Sequence, residues 1–300
     1  MFHHFHGKNH PIVQGSISEG KLCEIIEFIG PENILTAKEW AIKLQNQTLK
    51  SNQVCLTFDD ALKSQVDIAL PILQSYGLTG FFFIYSSIFE GVKEKIEIYR
   101  YFRTTEFSDI EEFYEEFFNY IEKSTVSEKI KRELTNFDSD NYLENFPFYS
   151  KSDKKFRYIR DEILTKQEYF RLMDTLILEN GINLDTVYSK LWITEKDLKK
   201  INNKDHLIGL HSYSHPTKFS SLSYNDQEKE YKKNKNHLEK ITSKVFTMSH
   251  PTNSYNQDTL SILKKLGIKI GFRADMFYPF KSNLEIPRQD HSIISRMLKN

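Results

Sequence analysis

The sequence predicts an α/β protein built on a parallel sheet, with a helical insertion in its middle. Three observations lead there. Short apolar runs alternate with helix-patterned segments near both ends of the chain. A block between about residues 90 and 205 carries few strand signals. Three of the apolar runs are followed directly by polar clusters. Three hundred residues suffice to bury the core of one large α/β domain or two small ones.

After a short His/Phe-rich start, Thr36-Ala-Lys-Glu39 is a capping-box pattern opening a helix to about Gln45. Val54-Cys-Leu-Thr-Phe58 is apolar and bounded by polar residues, which reads as a buried strand, and it ends in Asp59-Asp60. From about Ser64 to Tyr76 the pattern is an amphipathic helix that Gly77 terminates. Phe81–Tyr85 is the next buried strand, so the stretch forms a βαβ unit. The pattern returns near the C-terminus, with Val245–Met248 as strand, Gln257–Leu266 as a helix closed by Gly267, and Ile268–Phe272 as strand. Between the two units lies Leu207-Ile-Gly-Leu210, another buried strand, followed by His211-Ser-Tyr-Ser-His215.

The middle block is helical, charged and aromatic. Ser108 and Glu111 form a capping box, and Ile110, Phe113, Phe117 and Ile121 follow at helical spacing. Thr165 with Glu168, and Thr194 with Asp197, repeat the device. The block reads as an insertion in a single domain spanning residues 1–300.

Composition excludes several classes. Lys plus Arg equals Asp plus Glu at 41 each, which argues against a broad footprint for nucleic acid or anionic lipid. Cys23 and Cys55 form no CxxC pair, so neither a disulfide framework nor a thiolate zinc site is expected. No window approaches 18 uninterrupted apolar residues, so no transmembrane helix is expected. Met1-Phe-His-His-Phe-His-Gly7 lacks the apolar stretch of a secretory signal, and the expected compartment is the cytoplasm.

Chemistry gathers in three places of equal topological rank. Asp59-Asp60, His211–His215 and Ser249-His-Pro-Thr252 each follow a strand. In parallel sheets and barrels the carboxyl ends of the strands share one rim, so residues far apart in sequence meet there. Two imidazoles at i, i+4 and a carboxylate suit zinc or another first-row divalent ion. Adjacent carboxylates let one bind a metal while its neighbour takes the proton of a metal-activated water. Singly, an Asp-Asp pair after a strand is more often a cap, and an HxxxH more often surface or core histidines. Two His and one carboxylate also make the facial triad of non-haem iron oxygenases, which needs no second carboxylate.

Thr57-Phe-Asp-Asp60 and His211-Ser-Tyr-Ser-His215 resemble the first two motifs of the polysaccharide deacetylases, carbohydrate esterase family four. Leu191-Trp-Ile-Thr194 and the approach Ile208-Gly-Leu-His211 are similar too, and the resemblance covers about residues 1–90 and 190–291. It implies a distorted (β/α) barrel of about seven parallel strands. It also implies Asp59 as general base and Asp60, His211 and His215 as ligands of one divalent metal, most simply zinc. Ser249-His-Pro-Thr-Asn253 departs from the family's Arg-x-Pro-Tyr-Gly: Pro251 fits, but Ser249 stands where an arginine usually orients the base. Arg288 in Ile286-Pro-Arg-Gln-Asp290 is the candidate to replace it, and His291 is the candidate general acid. Phe2-His3 resembles the Tyr-His of the first strand in related enzymes. Strand alternation points His3 away from His4 and His6, and His10, His206 and His237 read as surface residues.

The resemblance implies hydrolysis of the N-acetyl amide of a sugar, with the backbone N–H of Tyr213 or a neighbour stabilising the oxyanion. The expected substrate is a cytoplasmic precursor of a surface polysaccharide. Aromatics, 14% of the chain, read mainly as core, with some in the insertion available to stack on sugar rings. A deformylase using the same site and a non-catalytic glycan- or partner-binding descendant are the alternative readings.

Overall fold

A computed structural model describes residues 1–92, 94–144, 149–242, 244–277, 279 and 281–298. The chain divides into two compact units, Met1–Glu94 with Lys190–Asn300, and Lys95–Ser189.

In the first unit five strands pair in sequence order, all parallel: β1 (Leu56–Phe58), β2 (Gly80–Ile84), β3 (Leu207–Leu210), β4 (Thr247–Ser249) and β5 (Ile270–Phe272). Nearly every strand position is buried, which is why apolar runs rather than alternation announce them. β1 is shorter than its apolar run because Val54 turns aside to pair with Ile34. β4 begins two residues after the start of its run, at Thr247.

Five strands stand among the described residues where about seven were expected. On the open edges, extended segments pair through single bridges, Phe2 beside Phe58 and Ile286 beside Phe272. Met1 N donates to Gln289 O at 2.9 Å and His291 N to Met1 O at 3.1 Å, linking those two segments. Gly271 permits the second pairing, since a Cβ there would lie 2.6 Å from the carbonyl oxygen of Leu284. Inside the curl, Trp40 of the helix Ala37–Gln45 meets Phe81 edge-on at 5.9 Å and Phe272 at 5.5 Å. Phe83, Ile270 and Ile286 complete that core.

Helix ends follow the local chemistry. Thr36 accepts from the Glu39 N–H, and Thr194 with Asp197 forms a full capping box. The segment read as a helix from Ser64 opens with a π turn, Gln65–Ala69, ahead of Leu70–Ser75. Pro71 lacks the N–H that would continue an α ladder there. Among the described residues, no helix is long and apolar enough to cross a membrane.

The second unit is helical, with Lys95–Thr105, Ile110–Glu122, Ser127–Leu134, Lys151–Tyr158 and Lys166–Glu179 among its elements. Thr165 and Glu168 form the expected capping box. The other one shifts by a residue: Asp109 caps the helix, while Ser108 N and Oγ bond Glu112. Phe102, Phe113, Phe117 and Phe156 are at most 1% exposed, and Phe156 lies 5.0 Å from Phe117 and 5.5 Å from Phe113. These rings are the unit's own core, not a platform for sugars. Ile110 is exposed at the start of that stripe.

His206, read as a surface residue, is 4% exposed. Its Nδ1 accepts from the Gly80 N–H at 3.0 Å, so the neutral imidazole holds the start of β2. Burial, with Lys204 nearby, pushes it down to about 4. The unfolded chain therefore takes up this proton first as pH falls. Stability tied to His206 is complete above about pH 6.5 and is lost down to about 4. The full loss amounts to at most ~3 kcal/mol. His206→Gln, which keeps an acceptor, should flatten urea-unfolding stability across that window relative to wild type. Parallel profiles would assign the acid sensitivity to other groups.

Candidate metal and catalytic site

Parallel pairing puts the loops after β1, β3 and β4 on one rim. Asp60 Oδ1 lies 3.2 Å from His211 Nε2 and 3.4 Å from His215 Nε2. One donor atom from each of the three falls within 4.8 Å of the others. His211 Nδ1 lies 2.9 Å from the Ser249 carbonyl. A carbonyl only accepts, so Nδ1 carries the proton and Nε2 is the nitrogen left to face a cation. Burial opposes ionising His211, yet the Asp60 carboxylate hydrogen-bonded to it prevails and raises it. Asp60 is held well below the usual carboxylate range, against burial, by His211, His215 and His3. One carboxylate oxygen and two imidazole nitrogens fit zinc and its first-row neighbours.

Asp59 is 2% exposed and belongs to a second, separate arrangement. Arg288 Nη1 and Nη2 donate to its two oxygens at 2.8 and 2.7 Å, and Ser249 Oγ donates to Oδ2 at 3.0 Å. The remaining guanidinium donors reach Thr57 Oγ1, Ser249 Oγ and the Arg273 carbonyl, so all five N–H groups are satisfied. Burial alone would raise Asp59, but Arg288 holds it far below the usual carboxylate range. Ser249 does not replace the missing arginine; it shares Arg288 with Asp59.

The loops carry unusual backbone. Of nine non-glycine residues in the left-handed region among those described, six lie here: Asp60, Ala61, Ser212, His215, Thr252 and Asn253. Each costs about 1 kcal/mol or more, and such strain persists where surroundings over-determine it. Trp192 bridges Leu62, and Ile193 N donates to Ala61 O at 3.0 Å, bracing the Asp60 turn. Ser212 Oγ accepts from His215 N at 3.0 Å.

The structure brings Asp59, Asp60, His211, His215 and Arg288 together, with Pro251 buried in the turn after β4. It takes His291 elsewhere: the ring stacks on Phe2 at 5.7 Å and bonds the Gly15 carbonyl at 3.1 Å. His3 Nε2 instead lies 4.0 Å from both Asp59 Oδ2 and Asp60 Oδ2. Its signal was the Phe2-His3 pair. Strict alternation does not hold beyond it, since the segment makes only isolated bridges and the rings of His3 and His4 lie side by side at 6.5 Å. Gln65 anchors the segment by donating to the carbonyls of His3 and Asp59. The Tyr213 N–H is not free for an oxyanion, because it donates to Glu230 at 2.9 Å.

Residues 165–271 match the family model for polysaccharide deacetylase. That span includes His211, His215 and Pro251; the fold adds His3, Asp59, Asp60 and Arg288 from outside it. No curated protein matches the chain. Among solved structures, the deacetylase PplD of Streptococcus pyogenes, in complex with acetate, is 15% identical with a TM-score of 0.56, over 100% of this chain and 95% of that one. A de-N-acetylase from Aggregatibacter actinomycetemcomitans is 11% identical with a TM-score of 0.55, over 96% and 92%. IcaB from Ammonifex degensii is 11% identical with a TM-score of 0.53, over 96% and 88%. The likeness to polysaccharide deacetylases is therefore one of sequence over residues 165–271 and of fold over the chain.

Arg288→Met should destabilise by about 3–5 kcal/mol in urea unfolding, since it strands a buried carboxylate. Ser249→Ala should cost about 1 kcal/mol. An Arg288→Met protein as stable as wild type would show that Asp59 does not depend on the guanidinium.

Proposed function

We propose that this polysaccharide-deacetylase-like chain is a metal-dependent hydrolase that removes the acetyl group from an N-acetylated sugar. The observation that carries the reading is the pairing of two unlike carboxylates on adjacent residues. Asp60 faces two imidazoles, while Asp59 is clamped by a fully satisfied arginine. Oxygenase chemistry on a two-histidine, one-carboxylate set would leave that clamp without a task.

Asp60, His211 and His215 would hold the ion, for which we propose zinc. When bound, such an ion polarises an amide carbonyl and acidifies water. Asp59 accepts the proton of the attacking water, and Arg288 keeps it ionised and aimed. His3, beside both carboxylates, donates a proton to the departing amine. Water and amide thus become carboxylic acid and free amine. The substrate we propose is a precursor of a surface polysaccharide, met in the cytoplasm.

Metal content by elemental analysis, paired with acetate and formate release from a panel of N-acyl sugars, tests the reading. His211→Ala should lose both metal and activity. Asp59→Asn and His3→Gln should retain metal and lose about 10²–10⁴ in kcat. No stoichiometric metal after reconstitution, or metal without release from any N-acyl sugar, would overturn it. Formate in place of acetate would convert the reading to a deformylase.

A further inference from the structure

The His211–His215 loop holds two left-handed residues, Ser212 and His215, in five positions. Within the loop, Ser212 Oγ accepts from His215 N at 3.0 Å. A further restraint comes from the helix Tyr224–Leu238, through two side chains one turn apart. Glu230 Oε2 accepts from the N–H groups of Tyr213 and Ser214 at 2.9 and 2.8 Å, and its Oε1 accepts from Ser214 Oγ at 2.8 Å. Asn234, fully buried, accepts from His211 N at 3.1 Å through Oδ1. Its Nδ2 donates to the Ile84 carbonyl at 3.0 Å and Ser86 Oγ at 2.9 Å. One amide therefore ties the carboxyl end of β2 to the residue that begins the loop after β3. Ser87 N donates to Tyr213 O at 2.9 Å, so the same two loops are joined again one step outward.

We propose that Glu230 and Asn234 are positioning residues that set the affinity of the Asp60–His211–His215 group for its divalent ion. This rests on the metal reading above. Neither residue touches the three donor atoms; both act by holding the backbone that aims them. Asn234 fixes where His211 leaves its strand, and Glu230 fixes the turn that swings His215 back toward Asp60. Without them the left-handed residues relax, and the donors must be reassembled each time an ion binds. That cost appears as lost affinity, in the way that outer groups around metal ligands commonly contribute ten- to a hundredfold.

Cobalt(II) is a suitable probe, since its visible spectrum reports ligand geometry independently of catalysis. Glu230→Ala and Asn234→Leu should each raise the cobalt Kd about 10–100-fold in chelator competition and alter the band shape. Glu230→Gln, which keeps one acceptor oxygen, should recover part of the affinity. Gln227→Leu is the control. Gln227 lies on the same helix but bonds Leu222 O and Thr259 Oγ1, so it should lower the melting temperature and leave the cobalt Kd unchanged. Variants of Glu230 and Asn234 that fold and bind cobalt as tightly as wild type, with the same spectrum, would overturn the proposal. Equal weakening by Gln227→Leu would overturn it too, by showing a general effect of stability. Wild-type protein that binds no cobalt would instead sink the metal reading on which it stands.

Discussion

The buried ion pair between Asp59 and Arg288 is the constraint around which the rest of the site is arranged. Each ion loses its water, a cost of several kcal/mol, and the pair is tolerable only because every donor finds an acceptor. The partners come from three places in the sequence: Thr57 on β1 and Asp59 just after it, Ser249 at the end of β4, and Arg273 and Arg288 after β5. Satisfying one guanidinium thus draws both edges of the curled sheet together. The guanidinium also lies over the rings of Phe83 and Phe272, at 5.7 and 5.9 Å, so the aromatic core supports it from below.

That arrangement separates two carboxylates that the sequence presents as twins. Asp59 ends inside, charged and rigid. Asp60, one residue on and left-handed at φ 75°, turns out toward the imidazoles. Adjacent residues therefore meet unlike partners, a guanidinium at Asp59 and two imidazoles at Asp60. Ser249 joins the two halves, with its hydroxyl in the ion pair and its carbonyl on His211 Nδ1. Ser249 thus fixes the tautomer of His211 through its carbonyl and joins Asp59 to Arg288 through its hydroxyl.

The departures from expectation share a cause. His291 follows an Arg288 that does reach the site, but its helix N-terminus turns the ring against Phe2 and Gly15. Tyr213 sits in the loop after β3, yet its amide is taken by Glu230 from the helix that follows, Tyr224–Leu238. His206 follows a helix end and reads as exposed, but it caps the neighbouring strand. In each case position along the chain was informative and side-chain direction was not.

Local chemistry determined much of this protein. The apolar runs at 54–58, 81–85, 207–210, 245–248 and 268–272 all became strands within a few residues of their limits, because burial on both faces demands such runs. Capping residues Thr36, Thr165 and Thr194 and the stop at Gly77 depend only on neighbours, and they were legible for that reason. The gathering of Asp60, His211 and His215 was legible because parallel strands share a rim. Tertiary structure decided the rest. That His3 rather than His291 stands beside the carboxylates, that Arg288 serves Asp59 across 229 residues, and that Glu230 shapes a loop it does not belong to all depend on contacts between distant segments. Such contacts leave no period or spacing in a single sequence, because the partner's position is set by packing and not by the chain between them.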